Sequence, residues 1–310
     1  MVAQAASLER TRRFADTGEI WNPTPDTACA SNLHLNTSML VFATPTLRRI
    51  GSRVLAVLLI WAILLHPATR AQSSMAVRHT EGLVHGFLVL RTQDGTALAD
   101  GDLTQVAHGD KVSTQLTFHF KDGSLHEETV VFSQRRTFRV LSDHLVQKGP
   151  AFKHPINVSI EAGTGKVTVR YTDDDGKEKV ETDHLILPTD VANGMMLTLL
   201  KNIKPDTPRT TVSWVAATPK PKLVKLSISP EGEDSFSVGG SKRKAARYVV
   251  KVELGGLTGL VAPLLGKQPE DTHVWILGGD TPAFVKSEGP LYFGGPIWRI
   301  ELTSPVWPEH

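Results

Sequence analysis

Along most of the chain apolar and polar residues alternate one by one. Val112, Thr114, Leu116, Phe118 and Phe120 alternate with Ser113, Gln115, Thr117, His119 and Lys121. Val167, Val169 and Tyr171 alternate with Lys166, Thr168, Arg170 and Thr172; Val224, Leu226 and Ile228 with Lys225 and Ser227. Tyr248, Val250, Val252 and Leu254 oppose Lys251 and Glu253, and Trp298, Ile300 and Leu302 oppose Arg299 and Glu301. Period two gives each strand one apolar and one polar face, the pattern of an antiparallel sheet solvated on one side. Turn chemistry separates the runs at Lys121-Asp122-Gly123-Ser124, Asp173-Asp174-Asp175-Gly176 and Ser237-Val238-Gly239-Gly240. This hairpin rhythm predicts roughly 12 strands.

One stretch breaks the rhythm. In "PTDVANGMMLTLLKNIKPD", Val191, Met195, Met196, Leu199, Leu200 and Ile203 fall at helical spacing, Thr189 or Asp190 can cap, and Pro205 stops the run. The apolar stripe is wide, so a helix over about 190–203 needs an apolar surface to pack on. The expected fold is mainly β: an antiparallel meander forming a curved sheet or half-barrel wrapped around that one amphipathic helix. A second apolar piece, 257–265, is interrupted by Gly259 and Pro263 and fits strand or helix.

A different pattern precedes the strands. Arg48, Arg49 and Arg53 lead into an uninterrupted apolar run over 54–65, then His66-Pro67, Thr69-Arg70-Ala71 and Gln72-Ser73-Ser74. A basic segment, an apolar core of 12 residues and small residues before a cut are the parts of a secretory signal peptide. A spanning helix needs about 20 apolar residues, and this run is shorter. Residues 39–71 therefore read as a leader cleaved after Ala71, with Met39 as the start and 1–38 as an over-long start or disordered extension. Residues 72–79 read as a linker, 80–305 as a single β-rich domain and 306–310 as a tail. The expected address is periplasmic or secreted; the alternative is an inner-membrane anchor through residues 50–65. Membrane contact is expected only through the leader, if it stays uncleaved.

Cleavage changes the electrostatics. Seven of the 34 basic and four of the 32 acidic residues precede Gln72, leaving the remainder near neutral. A near-neutral domain lacks the basic face that phosphate binding needs, so nucleic acid is not an expected partner. The single cysteine, Cys29, lies before the cut, so no disulfide framework and no Cys metal site is available to the domain.

Several local patterns fail as chemistry. Gly163-Thr164-Gly165-Lys166 lacks the phosphate-loop frame and leads into a strand. Asp173-Asp174-Asp175-Gly176 would need a ligand where Tyr171 stands to be a calcium loop. His126-Glu127-Glu128 has Val130 where a zinc motif needs a second His, and on a strand His126 and Glu128 share one face. Ser241 and Lys244 have acyl-transfer spacing but sit in an extended context rather than on a helical turn. No catalytic residue, metal or cofactor is assigned, and the chain leans away from an enzyme.

The C-terminal third concentrates Trp275, Phe284, Tyr292, Phe293 and Trp298 beside Gly278, Gly279, Gly294 and Gly295. Aromatic area beside glycines suits either a thick core or an apolar concavity. The candidate ligand-binding residues are Met195, Met196, Leu199, Trp275, Phe284, Tyr292 and Trp298.

The leader, the long meander, the central helix and the closing Trp-bearing strands together resemble a family of uncharacterised exported bacterial proteins. Their plan is similar to that of the periplasmic lipoprotein carriers, half-barrels curved around a helix. The segments that carry this are "DVANGMMLTLLKNI", "YVVKVELGGLTG" and "DTHVWILGGDTPAFVKSEGPLYFGGPIWRIELTSP". The resemblance implies a concave apolar surface and, by analogy, a lipid or acyl-chain ligand. The expected function is an exported soluble domain that binds an apolar ligand or a cell-envelope component, with a lipid, an acyl chain or an envelope protein as partner. The alternatives are a hydrolase or other enzyme whose site assembles only in three dimensions, and an envelope-anchored structural protein. An outer-membrane barrel fits poorly with the ending "SPVWPEH" and the apolar helix.

Overall fold

Among the described residues the chain forms fourteen strands, two more than the turn signals suggest. In chain order they are β1 (Val84–Arg91), β2 (Ala97–His108), β3 (Lys111–Phe120), β4 (Leu125–Gln134) and β5 (Phe138–Lys148). Then come β6 (Ile156–Glu161), β7 (Lys166–Thr172), β8 (Glu178–His184), the helix α1 (Met196–Asn202) and β9 (Thr210–Ala216). The last are β10 (Lys222–Val238), β11 (Ser241–Glu253), β12 (Thr272–Leu277), β13 (Ala283–Pro290) and β14 (Ile297–Leu302). The computed structural model describes residues 74–173, 175–204, 206–238, 241–253 and 269–303, all within the unit Thr69–His310. The leader at 39–71 and the apolar piece at 257–265 lie outside the described residues. No helix among the described residues is long and apolar enough to cross a membrane.

The strands make one antiparallel sheet in the order β8-β7-β6-β5-β4-β3-β2-β1-β14-β13-β12-β11-β10-β9. Every neighbour in the meander is a sequence neighbour except β1 and β14, which pair Leu88 with Leu302 and Leu90 with Ile300 to join the two halves. The sheet is curved and does not close, so β8 and β9 are its two edges.

The two edges are protected by different means. All seven residues of β8 are exposed, and Glu178, Lys179, Glu181 and Asp183 place charge along it, which discourages pairing with another chain. It has no apolar face, so period-two reading gives it no signal. The β9 edge is covered instead by the segment before the helix. Ser213 N–H donates to the Asp190 carbonyl, Ala192 N–H donates to the Ser213 carbonyl, and Val191 bridges Ser213 in parallel. One step on, the Asn193 side chain acts as a surrogate peptide. Its Oδ1 accepts from Val215 N–H at 2.8 Å and its Nδ2 donates to the Val215 carbonyl at 3.0 Å.

This edge pairing shortens the helix relative to the sequence expectation of about 190–203. Residues 190–193 are used as an edge cover, Gly194 turns the chain with φ +66°, and only Met196–Asn202 is helical. A Cβ at residue 194 would fall 2.6 Å from Val130 Cβ, so the turn lies directly on β4.

The sheet also rolls over itself. On β9, Val212, Trp214 and Ala216 face the main core, while Val215 joins a second cluster with Val158, Ile160, Val167 and Val169 of β6 and β7. The inner face of β6–β7 therefore laps over the reverse face of β9. Side-chain packing thus joins β6–β7 to β9 although the edge hydrogen bonds of the sheet never meet, and β8 stays exposed beyond them. The main core unites Leu88, Leu90, Val112, Phe118, Val130 and Phe132 of the first half with Ile228, Tyr248, Val274 and Ile276 of the second, around Met195, Leu199 and Leu200. Each of these large buried side chains contributes roughly 1.5–3 kcal/mol.

The chain entering β1 is fastened to the same helix. Asn202 Oδ1 accepts from the N–H groups of Arg78 and His79, both at 2.8 Å. Lys201 Nζ pairs with buried Glu81 at 2.7 Å, and Glu81 also accepts from Gln105 Nε2 at 2.9 Å.

Candidate functional site

The inward face of β1–β5 is ordered in rows set by the ladder register. One row runs Leu145–Glu128–Leu116–Leu103–Gly86 from β5 to β1. All five of its residues are only half-buried. The row on one side, Gln147–His126–Phe118–Gly101–Leu88, is buried throughout. On the other side Asp143, Val130 and Gln105 are buried around half-buried Thr114. This partly exposed row between two more buried ones, on the inward side of the curved sheet, is the candidate trough, with Leu103 and Leu116 packed against the main core. Its floor is leucine and glycine with one carboxyl in the middle.

Close packing shapes the trough. A Cβ at residue 101 would fall 2.4 Å from the Phe118 ring and 2.8 Å from Leu88 Cβ, so the glycine admits the ring flat against the sheet. On the Asp143 wall sits the Gly194 turn, with a hypothetical Cβ 3.1 Å from Asp143 Oδ1. On the opposite wall, Gln147 Nε2 donates to the Leu291 carbonyl at 3.1 Å and holds the β13–β14 connection. Rings stack there from four segments: Phe120 on Phe152 at 5.4 Å and on Trp298 at 5.5 Å, and Tyr292 on Phe152 at 5.4 Å and on Trp298 at 6.0 Å.

Three titratable groups face inward here. The Glu128 carboxyl lies deep in the fold yet keeps some free surface, and loss of hydration pushes its pKa up to about 7. Asp143, 3% exposed, is held well above the usual carboxylate range, first by burial and then by the Glu128 charge, and its Oδ1 has no hydrogen-bond partner. Burial lowers His126 to about 4, so its ring is neutral. The tautomer follows from the neighbours. Gln147 Nε2 is a donor to the Leu291 carbonyl and lies 3.0 Å from His126 Nδ1, so Nδ1 accepts and Nε2 carries the proton. That buried Nε2–H has no partner.

A second polar cluster lies at the β9 edge. Lys225 Nζ donates to Ser213 Oγ at 2.6 Å, and Ser213 Oγ donates to Asp190 Oδ1 at 2.7 Å. Serine beside lysine suggests a nucleophile and its base, but Lys225 also pairs with Asp190 at 3.3 Å. Ser213 is 0% exposed. The trio fastens the edge cover to the sheet.

The candidate ligand residues separate by face. Met195, Leu199, Phe284 and Trp298 are buried in the main core, and Met196 and Tyr292 are partly buried and packed against it. Trp275 is on the reverse face. It pairs with Lys286, whose Nζ lies 4.0 Å from its ring, and its Nε1 donates to Asp234 Oδ2 at 2.7 Å. Three of the motifs set aside in the sequence lie at hairpins. Gly165 turns the β6–β7 hairpin at φ +72°, Asp173 Oδ1 accepts from Asp175 and Lys177 N–H groups, and Lys244 pairs with Glu233 across the β10–β11 hairpin. No group of three or more His, Cys, Asp or Glu among the described residues could hold a metal ion.

What defines the molecule is thus a rolled, open antiparallel sheet with an acid-bearing apolar trough on its concave side. No family model and no curated protein matches the chain. Among solved structures it is similar to a β-barrel-like protein of a domain of unknown function, DUF1849, from Brucella abortus, at 9% identity and TM-score 0.42. The similarity covers 74% of this chain and 100% of that one.

Proposed function

We propose that this chain is an exported binding domain that holds an apolar ligand, a lipid or acyl chain, along the Leu145–Glu128–Leu116–Leu103–Gly86 row. The observation that carries the reading is that row itself: leucines left partly exposed between two flanking rows that are buried but for Thr114. A few polar groups converging on an otherwise apolar concavity are the usual make-up of a small-molecule site. The leader at 39–71 supplies the address, and the near-neutral domain that follows leaves nucleic acid aside. Protein purified from its own envelope and measured by native mass spectrometry should carry a co-purifying lipid; recovery of bare protein would overturn the reading.

A second reading rests on the carboxyls. Two buried acids whose environments displace their titration are the raw material of general acid–base chemistry. Hydrolytic turnover that disappears in Glu128→Gln, with no lipid on the envelope-purified protein, would select this enzyme reading over carriage.

A further inference from the structure

Buried carboxyls normally meet a cation or several N–H donors. The Asp143 carboxyl meets one N–H, that of the His144 backbone, but its Oδ1 has no partner, and no hydrogen bond reaches the Glu128 side chain from any described residue. Among the described residues no cation pairs with either carboxyl; Lys201 pairs with Glu81 and Lys225 with Asp190. His126 is neutral and turned to Gln147. Glu128 and Asp143 stand on adjacent rows of one ladder, the first opposite Leu145 and the second opposite Val130, about 7 Å apart along the strand direction. The Glu128 charge is felt at Asp143, so the two carboxyls share one locale. Leucines extend from it along the row toward Gly86.

Building on the binding function proposed above, we infer that the trough takes a single-chain amphiphile with a primary ammonium head, seated between Glu128 and Asp143 with its chain along Leu116 and Leu103. An ammonium group supplies both missing elements, a positive charge and three N–H donors. A quaternary ammonium supplies only the first, an alcohol only a donor, and a carboxylate adds a third negative charge. His126, on the far side of Glu128, offers its free Nε2–H to an oxygen of the same ligand. Protons on the two acids compete with the ammonium, so binding tightens as pH rises and releases a proton.

The test uses the full chain titrated calorimetrically with dodecylamine, dodecyltrimethylammonium, dodecanol and dodecanoate below their aggregation concentrations. The expected result is dodecylammonium binding at least about tenfold more tightly than the other three, a difference worth ~1.4 kcal/mol. Its affinity should rise from pH 6 to pH 8. Glu128→Gln and Asp143→Asn should each remove the ammonium preference and the pH dependence, with a cooperative thermal transition showing that each variant is folded; a preference that survives in both folded variants overturns the inference. If dodecanol, dodecanoate or the quaternary amine binds as tightly as dodecylammonium, the primary-ammonium inference fails and the apolar trough stands. If none of the four binds, the binding function itself fails.

Discussion

Gln147 hydrogen-bonds to His126 Nδ1 across the β4–β5 ladder at 3.0 Å while also donating to the Leu291 carbonyl, so one amide sets the imidazole tautomer and fastens a connection 144 residues away. His126 is consequently a neutral ring with its proton on Nε2, and burial keeps it so down to about pH 4. Nitrogen-15 NMR of the histidines should show an Nε2–H signature for His126 that persists at pH 5, below the ordinary imidazole value of 6.5. Gln147→Leu should release the tautomer preference. An Nδ1–H signature in the unaltered protein would refute the assignment.

The pH dependence of stability should carry two opposed contributions. His126 has a lowered pKa in the folded state, so its contribution is lost as pH falls from about 6.5 toward about 4. Glu128 is raised from 4.5 to about 7, so the folded protein holds a proton that the unfolded chain releases, and stability falls as pH rises through that window. Asp143 acts in the same direction as Glu128. Between about 4.5 and 6.5 histidine and acids offset one another; above 6.5 only the acids change. Thermal unfolding should therefore show a falling Tm from pH 6.5 to 8, and Glu128→Gln should raise Tm at pH 8 with little effect at pH 4.5. A flat or rising Tm over that range would contradict the burial of these carboxyls.

How much of this was readable from the sequence depends on which force set each feature. The strand pattern was legible because one face of β3, β7, β11 and β14 is apolar, and the turns at Gly123, Gly165 and Gly176 sit where glycine-bearing hairpin chemistry placed them. The strand β8 was not, since it faces solvent on both sides and carries no alternation. The helix was overextended because Val191 and Met195 have helical spacing, while the edge of β9, invisible in one dimension, recruits Asp190 and Asn193 instead. The trough was hidden in plain view. Period two already put His126 and Glu128 on one face, and Val130, Phe132 and Gln134 continue that face, so two titratable residues at core positions were the available signal. Asp143 had no such mark, because its inward orientation depends on the β-bulge between Val131 and Phe132 in the β4–β5 pairing. Trp275 looked like its aromatic neighbours, yet strand parity turns it to the reverse face, where Lys286 and Asp234 occupy it.

Asn193 tests the edge cover. Its amide is buried and completes both peptide groups of Val215 at the only edge of the sheet that is not charged. Asn193→Ala leaves a buried N–H and a buried carbonyl unpaired, which costs roughly 1–3 kcal/mol for each group before relaxation. Asn193→Asp restores the acceptor and removes the donor, so it should lie between the two. Denaturant unfolding gives the ordering, and hydrogen exchange should show the Val215 amide losing protection in Asn193→Ala while amides of β3 keep theirs. Equal stability of Ala and Asn at this position would mean the edge is held by Asp190, Ala192 and Ser213 alone.

Gly101 tests whether the trough wall is as rigid as its contacts imply. The added methyl of Gly101→Ala meets the Phe118 ring at 2.4 Å and Leu88 Cβ at 2.8 Å, and the second of these is anchored to backbone and cannot swing away. Overpacking of this kind costs roughly 1–3 kcal/mol. The ring, next to His126 at 6.0 Å between centroids, is the softer neighbour and should tilt toward the Leu116 row. Phe118→Leu removes that clash and leaves a cavity of its own. The double variant should therefore be more stable than the sum of the two single losses, a coupling that a double-mutant cycle measures directly. Dodecanol affinity should fall in Gly101→Ala and recover in part in the double variant, because the displaced ring occupies trough volume. Strict additivity, with unchanged dodecanol binding in all three variants, would place the ligand away from this row.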